Sequence, residues 1–133
     1  MNTIKGFIFD LDGVIVDTAK YHYMAWKRLA SELGFDFTLK DNERLKGVSR
    51  MAALDILLEI GCLSFDEHEK LSLAEKNNRW YVDYITSMDE NEILPGAKQF
   101  LNEAKTAGFK IALGSASKNA LTILNRLNLT DLF

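Results

Sequence analysis

Apolar residues fill the opening segment from Ile4 to Phe9 with β-branched and aromatic side chains, and the run stops at Asp10-Leu11-Asp12-Gly13. Such a run, closed by turn-forming residues, predicts a buried strand that ends in a loop. The period then changes. Tyr21, Met24, Ala25, Leu29 and Leu33 recur on one helical face, which Gly34 closes. A second helix is predicted after Ser49, with Met51, Leu54 and Leu58 on one stripe and Gly61 as its stop. Ser64 and Glu67 have the spacing of a capping box and open a long helix whose stripe is Leu71, Ala74, Asn78, Tyr81 and Ile85. Trp80, Tyr81 and Tyr84 share that helix and are expected in its core.

Pro95-Gly96 introduces a helix with Ala97, Phe100, Leu101 and Ala104 inward, ended by Gly108. Phe109 to Leu113 is a short apolar strand, Gly114 to Ser117 a small-residue loop, and Ala120, Leu121, Leu124 and Leu127 mark a further helix. Strand, small-residue loop and helix make a phosphate-site architecture. Two α/β pieces therefore flank an all-helical insert, with boundaries near Asp17 and Asp89.

Composition narrows the function classes. The 133 residues, 47% hydrophobic and 26% charged, suit an ordered globular protein of about one domain. A formal charge of -3 gives no footprint for nucleic acid or an acidic membrane, so a small metabolite is the expected partner. The lone Cys62 excludes an internal disulfide and is expected to be an inert packed thiol. No apolar stretch approaches membrane-spanning length, and a cytoplasmic location is expected.

The chemistry is concentrated where the first strand ends. Of two carboxylates there, one can attack phosphorus while the other manages protons. A carboxylate approaching a phosphate dianion is repelled, which calls for a hard cation such as Mg²⁺. Asp-x-Asp-Gly is also an ordinary turn sequence; its place after an apolar strand, with Asp17-Thr18 following, favours the chemical reading.

Asp10-Leu11-Asp12-Gly13-Val14 with Asp17-Thr18 resembles the first signature of the haloacid dehalogenase superfamily, and Ser115 after Ile111-Ala112-Leu113-Gly114 resembles the second. The resemblance implies that Asp10 takes up the phosphoryl group and gives a side-chain oxygen to Mg²⁺. Asp12 would give the metal a backbone carbonyl and act as general acid/base, and Ser115 would hold the transferring phosphoryl oxygens. Ser117 is the expected cap of the following helix. Two longer runs, Ser115-Ala116-Ser117-Lys118-Asn119 and Lys46-Gly47-Val48-Ser49-Arg50, resemble the β-phosphoglucomutase-like branch of the superfamily. That branch needs a second, distal phosphate site, which the resemblance assigns to Arg50 with Ser117, Lys118 and Asn119, and to the Gly47-Val48-Ser49 and Ala116 positions beside them. Tyr21-His22 after Asp17-Thr18 matches it too, so His22 and Thr18 would serve the acid/base machinery, and Trp26 could line the sugar pocket.

The implied fold is α/β: a Rossmann-like core from residues 1–16 and 90–133, incomplete in this chain, carrying an inserted helical cap over 17–89. Cap and core would close over the site and exclude water. The implied reaction interconverts β-D-glucose 1-phosphate and β-D-glucose 6-phosphate, with β-glucose 1,6-bisphosphate as intermediate and primer, in a monomer. Members of the family continue beyond the point corresponding to Phe133, with a lysine and an acidic pair that complete the phosphate and Mg²⁺ sites. The fragment is therefore expected to turn over weakly. Two other readings share these residues: a cap-bearing sugar-phosphate phosphatase, and a non-catalytic fragment that only binds phosphate or a partner.

Overall fold

A computed structural model describes residues 3–115 and 117–133. In chain order the elements are strand β1 (Gly6–Phe9), helices α1 (Ala19–Glu32), α2 (Leu39–Asn42), α3 (Arg50–Ile60), α4 (Glu67–Thr86) and α5 (Ala97–Thr106), strand β2 (Lys110–Leu113) and helix α6 (Ala120–Arg126). The fold is α/β. The chain divides into two compact units, residues 1–19 with 84–133, and residues 20–83. The divisions fall just inside α1 and in the last turn of α4.

In the first unit β1 and β2 pair in parallel, Gly6 opposite Lys110 and Phe9 opposite Leu113. Gly6 is required by that pairing, because a Cβ there would lie 2.7 Å from the Lys110 carbonyl oxygen. Phe7 and Phe9 share one face of β1, where the ring of Phe100 from α5 meets both edge-on at 5.3 and 5.7 Å. Alternation sends Ile8 to the other face, where it is 80% exposed. The strand expected to be buried is thus covered on one side only. The apolar centre of this unit lies elsewhere, in the fully buried Leu11, Ile15, Val16, Met88, Leu101, Ile123, Leu127 and Leu129. Phe100, expected inward, is 44% exposed and Leu121, one of the residues that marked the last helix, 63%, while Leu101 and Ile123 face in. Glu90 ties this unit's segments together, accepting from Asn128 at 2.7 Å and from Lys98 at 3.3 Å. The Asn128 bond, and then Lys98, hold its carboxyl below the usual range.

The second unit is helical. On α1 the buried residues are Ala25, Trp26, Leu29 and Ala30, so the core face is rotated from the predicted stripe and Met24 is half exposed. Helix α3 starts as predicted: the Ser49 hydroxyl accepts from the Ala52 amide at 3.2 Å, and Ala53, Leu54, Leu57 and Leu58 are buried. Each such leucine contributes about 1.5–3 kcal/mol by leaving water. Gly61 ends α3 for a packing reason, since a Cβ would meet the Phe35 ring at 2.5 Å, and the next residue, Cys62, takes the left-handed conformation at φ 55°. That places the Cys62 thiol in solvent, not packed as expected.

Two other expectations in this unit change. The sequence reading missed α2, which Thr38 and Asp41 secure with a reciprocal capping box. Helix α4 is capped by Asp66, whose carboxylate accepts from the Glu69 amide at 2.8 Å, and not by Ser64. Leu71 is 53% exposed, and Ala74, Asn77, Trp80 and Tyr81 form the buried face. No helix of the described residues is long and apolar enough to cross a membrane.

Candidate active site

The parallel register brings the chemistry to one end of the sheet. The Gly114 amide donates to the Phe9 carbonyl at 2.7 Å, one step past the paired strands, so Asp10 and Ser115 both follow directly at the carboxyl ends of β1 and β2. Ligands of α/β sheets bind at such ends. Asp10 Oδ1 accepts from the Leu11 amide at 2.8 Å, which orients the carboxylate.

Beyond Asp10 the chain turns tightly. Gly13 has φ +79°, a conformation costly for residues with a Cβ, and its amide donates to the Val16 carbonyl at 2.7 Å. The amides of Ile15 and Val16 both reach back to the Leu11 carbonyl. Leu11, Ile15 and Val16 are fully buried, so the loop that carries Asp12 is pinned from beneath by apolar side chains. The Thr18 hydroxyl, itself buried, donates to Asp12 Oδ1. Asp12 is exposed. The arrangement is a solvent-facing carboxylate held in one orientation by a buried donor, which suits an acid/base group.

On the β2 side Ser115 Oγ accepts from the Ser117 amide at 3.1 Å, and Ser117 Oγ accepts from the Asn119 amide at 3.2 Å. These successive turns move the start of α6 to Ala120, with Asn119 at the N-cap position. Ser117 therefore does not cap the helix as expected: its hydroxyl bonds the amide two residues on, the turn geometry that serine favours outside helices. Lys118 is exposed. Ala116 lies outside the described residues.

The second unit holds the remaining candidates. Gly47, Val48, Ser49 and Arg50 form an exposed loop and helix start, with Gly47 at φ +75°. Arg50 Nη2 donates to Asn78 Oδ1 on α4 at 2.9 Å. His22 is exposed on α1 and stacks on the Tyr81 ring, centroids 3.9 Å apart and planes 12° from parallel. Trp26 is 5% exposed and belongs to this unit's core.

The sequence reading placed Asn78 and Tyr81 on a packing stripe and did not see that one holds Arg50 and the other stacks on His22. It also passed over Asn77, which is 3% exposed with its side-chain oxygen unpartnered. An amide on each of two otherwise apolar rows of α4, Asn78 on the predicted stripe and Asn77 on the buried face, is the signal that could have found them.

Among the described residues no group of three or more His, Cys, Asp or Glu forms a metal cage. The donors at the first strand's end nevertheless fit Mg²⁺, which is commonly held by one or two carboxylates together with waters and phosphate oxygens.

Comparison with known proteins agrees with this geometry. The haloacid dehalogenase-like hydrolase family model matches residues 4–133. The chain is 42% identical over 132 residues to β-phosphoglucomutase of Bacillus subtilis, covering 98% of this chain and 58% of that protein. It is 30% identical over 133 residues to a phosphorylated carbohydrates phosphatase of Thermotoga maritima, covering 98% and 59%. The crystal structure of β-phosphoglucomutase from Clostridium difficile superposes with a TM-score of 0.84 at 52% identity, over 98% of this chain and 60% of that one. The chain thus spans about three-fifths of the length of the proteins it matches. With a family model covering nearly every residue and the two-carboxylate loop at the carboxyl end of a parallel sheet, this chain belongs to the haloacid dehalogenase-like hydrolases.

Proposed function

We propose that the chain carries the nucleophile and phosphate-holding residues of a magnesium-dependent β-phosphoglucomutase. The observation that supports it most is the common placement of Asp10 and Ser115 at the carboxyl ends of paired strands, with Asp12 held by Thr18 beside them. Asp10 attacks one phosphorus of β-glucose 1,6-bisphosphate, the bond from that phosphorus to the sugar oxygen breaks, and Asp12 protonates the oxygen as it leaves on a hexose monophosphate. In the return half a hexose monophosphate lies in the opposite orientation; Asp12 removes the proton from its free hydroxyl as that oxygen attacks the aspartyl phosphate, the bond from phosphorus to Asp10 breaks, and the bisphosphate is regenerated. The Ser115 hydroxyl donates to the phosphoryl oxygens as charge develops on them.

Mg²⁺ would be held by the Asp10 side chain and the Asp12 backbone carbonyl, and it supplies neutralising charge for the approach of two anions. Arg50, with the Gly47-Val48-Ser49 backbone before it, and Ala116, Ser117, Lys118 and Asn119 bind the phosphate that is not reacting. Arginine suits that role through its two-pronged geometry. His22 and Thr18 support the acid/base group and Trp26 backs the sugar pocket. In this reading residues 1–16 and 90–133 are the core, residues 17–89 are the cap, and the enzyme is a cytoplasmic monomer.

A second reading, a sugar-phosphate phosphatase, is favoured by the 30% identity to the Thermotoga phosphatase. An assay with β-D-glucose 1-phosphate, Mg²⁺ and β-glucose 1,6-bisphosphate as primer separates the two. The mutase reading predicts glucose 6-phosphate in excess of free phosphate. Free phosphate as the dominant product would favour the phosphatase.

A further inference from the structure

We propose that Asn78 is a positioning residue for Arg50: it fixes the guanidinium in one orientation without neutralising it, so that the second helical unit presents a ready anion receptor. The inference rests on the reading of Arg50 as a phosphate ligand and adds how that ligand is prepared.

The backbone end of Arg50 is set by its place at the first position of α3, where the Ser49 cap fixes the helix start. The far end is set by a different helix, since Asn78 lies 28 positions later on α4 and accepts from Nη2 at 2.9 Å. A long arginine side chain free in water loses much rotamer freedom when a ligand immobilises it, and a contact made beforehand removes part of that loss. One of the five N–H donors is used, and the others can still grip an anion.

The identity of the acceptor matters as much as its position. Elsewhere in this unit five cationic side chains sit beside carboxylates, Lys27 by Asp36, Arg44 by Glu59, Lys46 by Glu43, Lys70 by Asp55 and Lys76 by Glu32, while Arg28 lies over the Trp80 ring. Arg50 has no such partner among the described residues and is held by a neutral amide instead. A carboxylate would orient the guanidinium too, but it would cancel the charge an incoming phosphate needs. Arg44 and Arg50 thus show two uses of one residue type, the first paired and the second kept charged and aimed.

The test uses the 133-residue chain with Mg²⁺, titrated with β-D-glucose 1,6-bisphosphate by calorimetry, while NMR follows the order of the Arg50 Nε–H group in the unliganded protein. Asn78→Ala should disorder that group and weaken binding by roughly three- to tenfold, the effect of having to immobilise one long side chain on binding. In an Arg50→Ala background the same substitution should change nothing further. Asn78→Asp should keep Arg50 ordered and still bind the bisphosphate more weakly than the parent.

Unchanged affinity in Asn78→Ala, or an equal loss when Arg50 is already absent, would overturn this inference alone and leave Arg50 as a ligand. If the parent takes up no bisphosphate, or Arg50→Ala binds as tightly as the parent, the phosphate reading of Arg50 fails and this inference fails with it.

Discussion

In this chain, which spans about three-fifths of the length of the proteins it matches, the two units differ in how fully they are enclosed. In the helical unit, residues 20–83, the large apolar side chains Leu29, Phe37, Leu54 and Leu57 are fully buried. In the other unit the helices and the loop after β1 are equally well seated, but the sheet is not: Ile4 and Ile8 are 66% and 80% exposed, and Phe100 stands 44% exposed over the opposite face. A parallel sheet is ordinarily covered on both faces. The chemistry sits where this coverage changes. Asp10 and Asp12 leave the sparsely covered strand, yet the loop joining them is locked by Leu11, Ile15 and Val16 at zero exposure. The loop that carries Asp12 is thus anchored by its own buried side chains as well as by the strand that leads to it.

Substitutions can break that contrast. The largest effect should come from the enclosed helical unit: Leu54→Ala is expected to cost about 2–5 kcal/mol in denaturant unfolding, because it leaves a cavity among packed helices. Ile8→Ser, on the open sheet face, should cost less than about 1 kcal/mol by the same measurement, since most of that side chain is already in water. A loss at Ile8 as large as that at Leu54 would show that the exposed face is covered in solution. Between these lies Thr18→Val, which keeps the volume of a buried side chain but removes the donor to Asp12. It should destabilise by about 1–3 kcal/mol and lower phosphoryl transfer while leaving substrate affinity nearly unchanged.

The parts of the molecule legible in the sequence are those set by short-range pattern. Strand, two-carboxylate turn and Ser115 loop were readable because each is specified within a few residues. Helix extents also followed from period and from Ser49, a cap whose partner amide lies three residues away. Helix phase was less legible. Met24, Leu71, Phe100 and Leu121 fit an apolar stripe but stand outside the core, because a period says which residues share a face and not which face meets another element. Caps were misplaced too: Asp66 caps α4 in place of Ser64, and Ser117 bonds the Asn119 amide ahead of α6, whose N-cap position Asn119 fills without a side-chain bond. The least legible features join distant positions. The Arg50–Asn78 bond and the His22–Tyr81 stack both bridge separate helices, and no local pattern encodes either.

The account turns on Asp10 as the atom donor to phosphorus. The direct measurement is to incubate the chain with Mg²⁺ and β-glucose 1,6-bisphosphate carrying a phosphorus label, quench in acid and locate the label by peptide mass analysis. Label on Asp10, absent from Asp10→Asn, is the predicted result. Label on another residue, or equal labelling of Asp10→Asn, would contradict it.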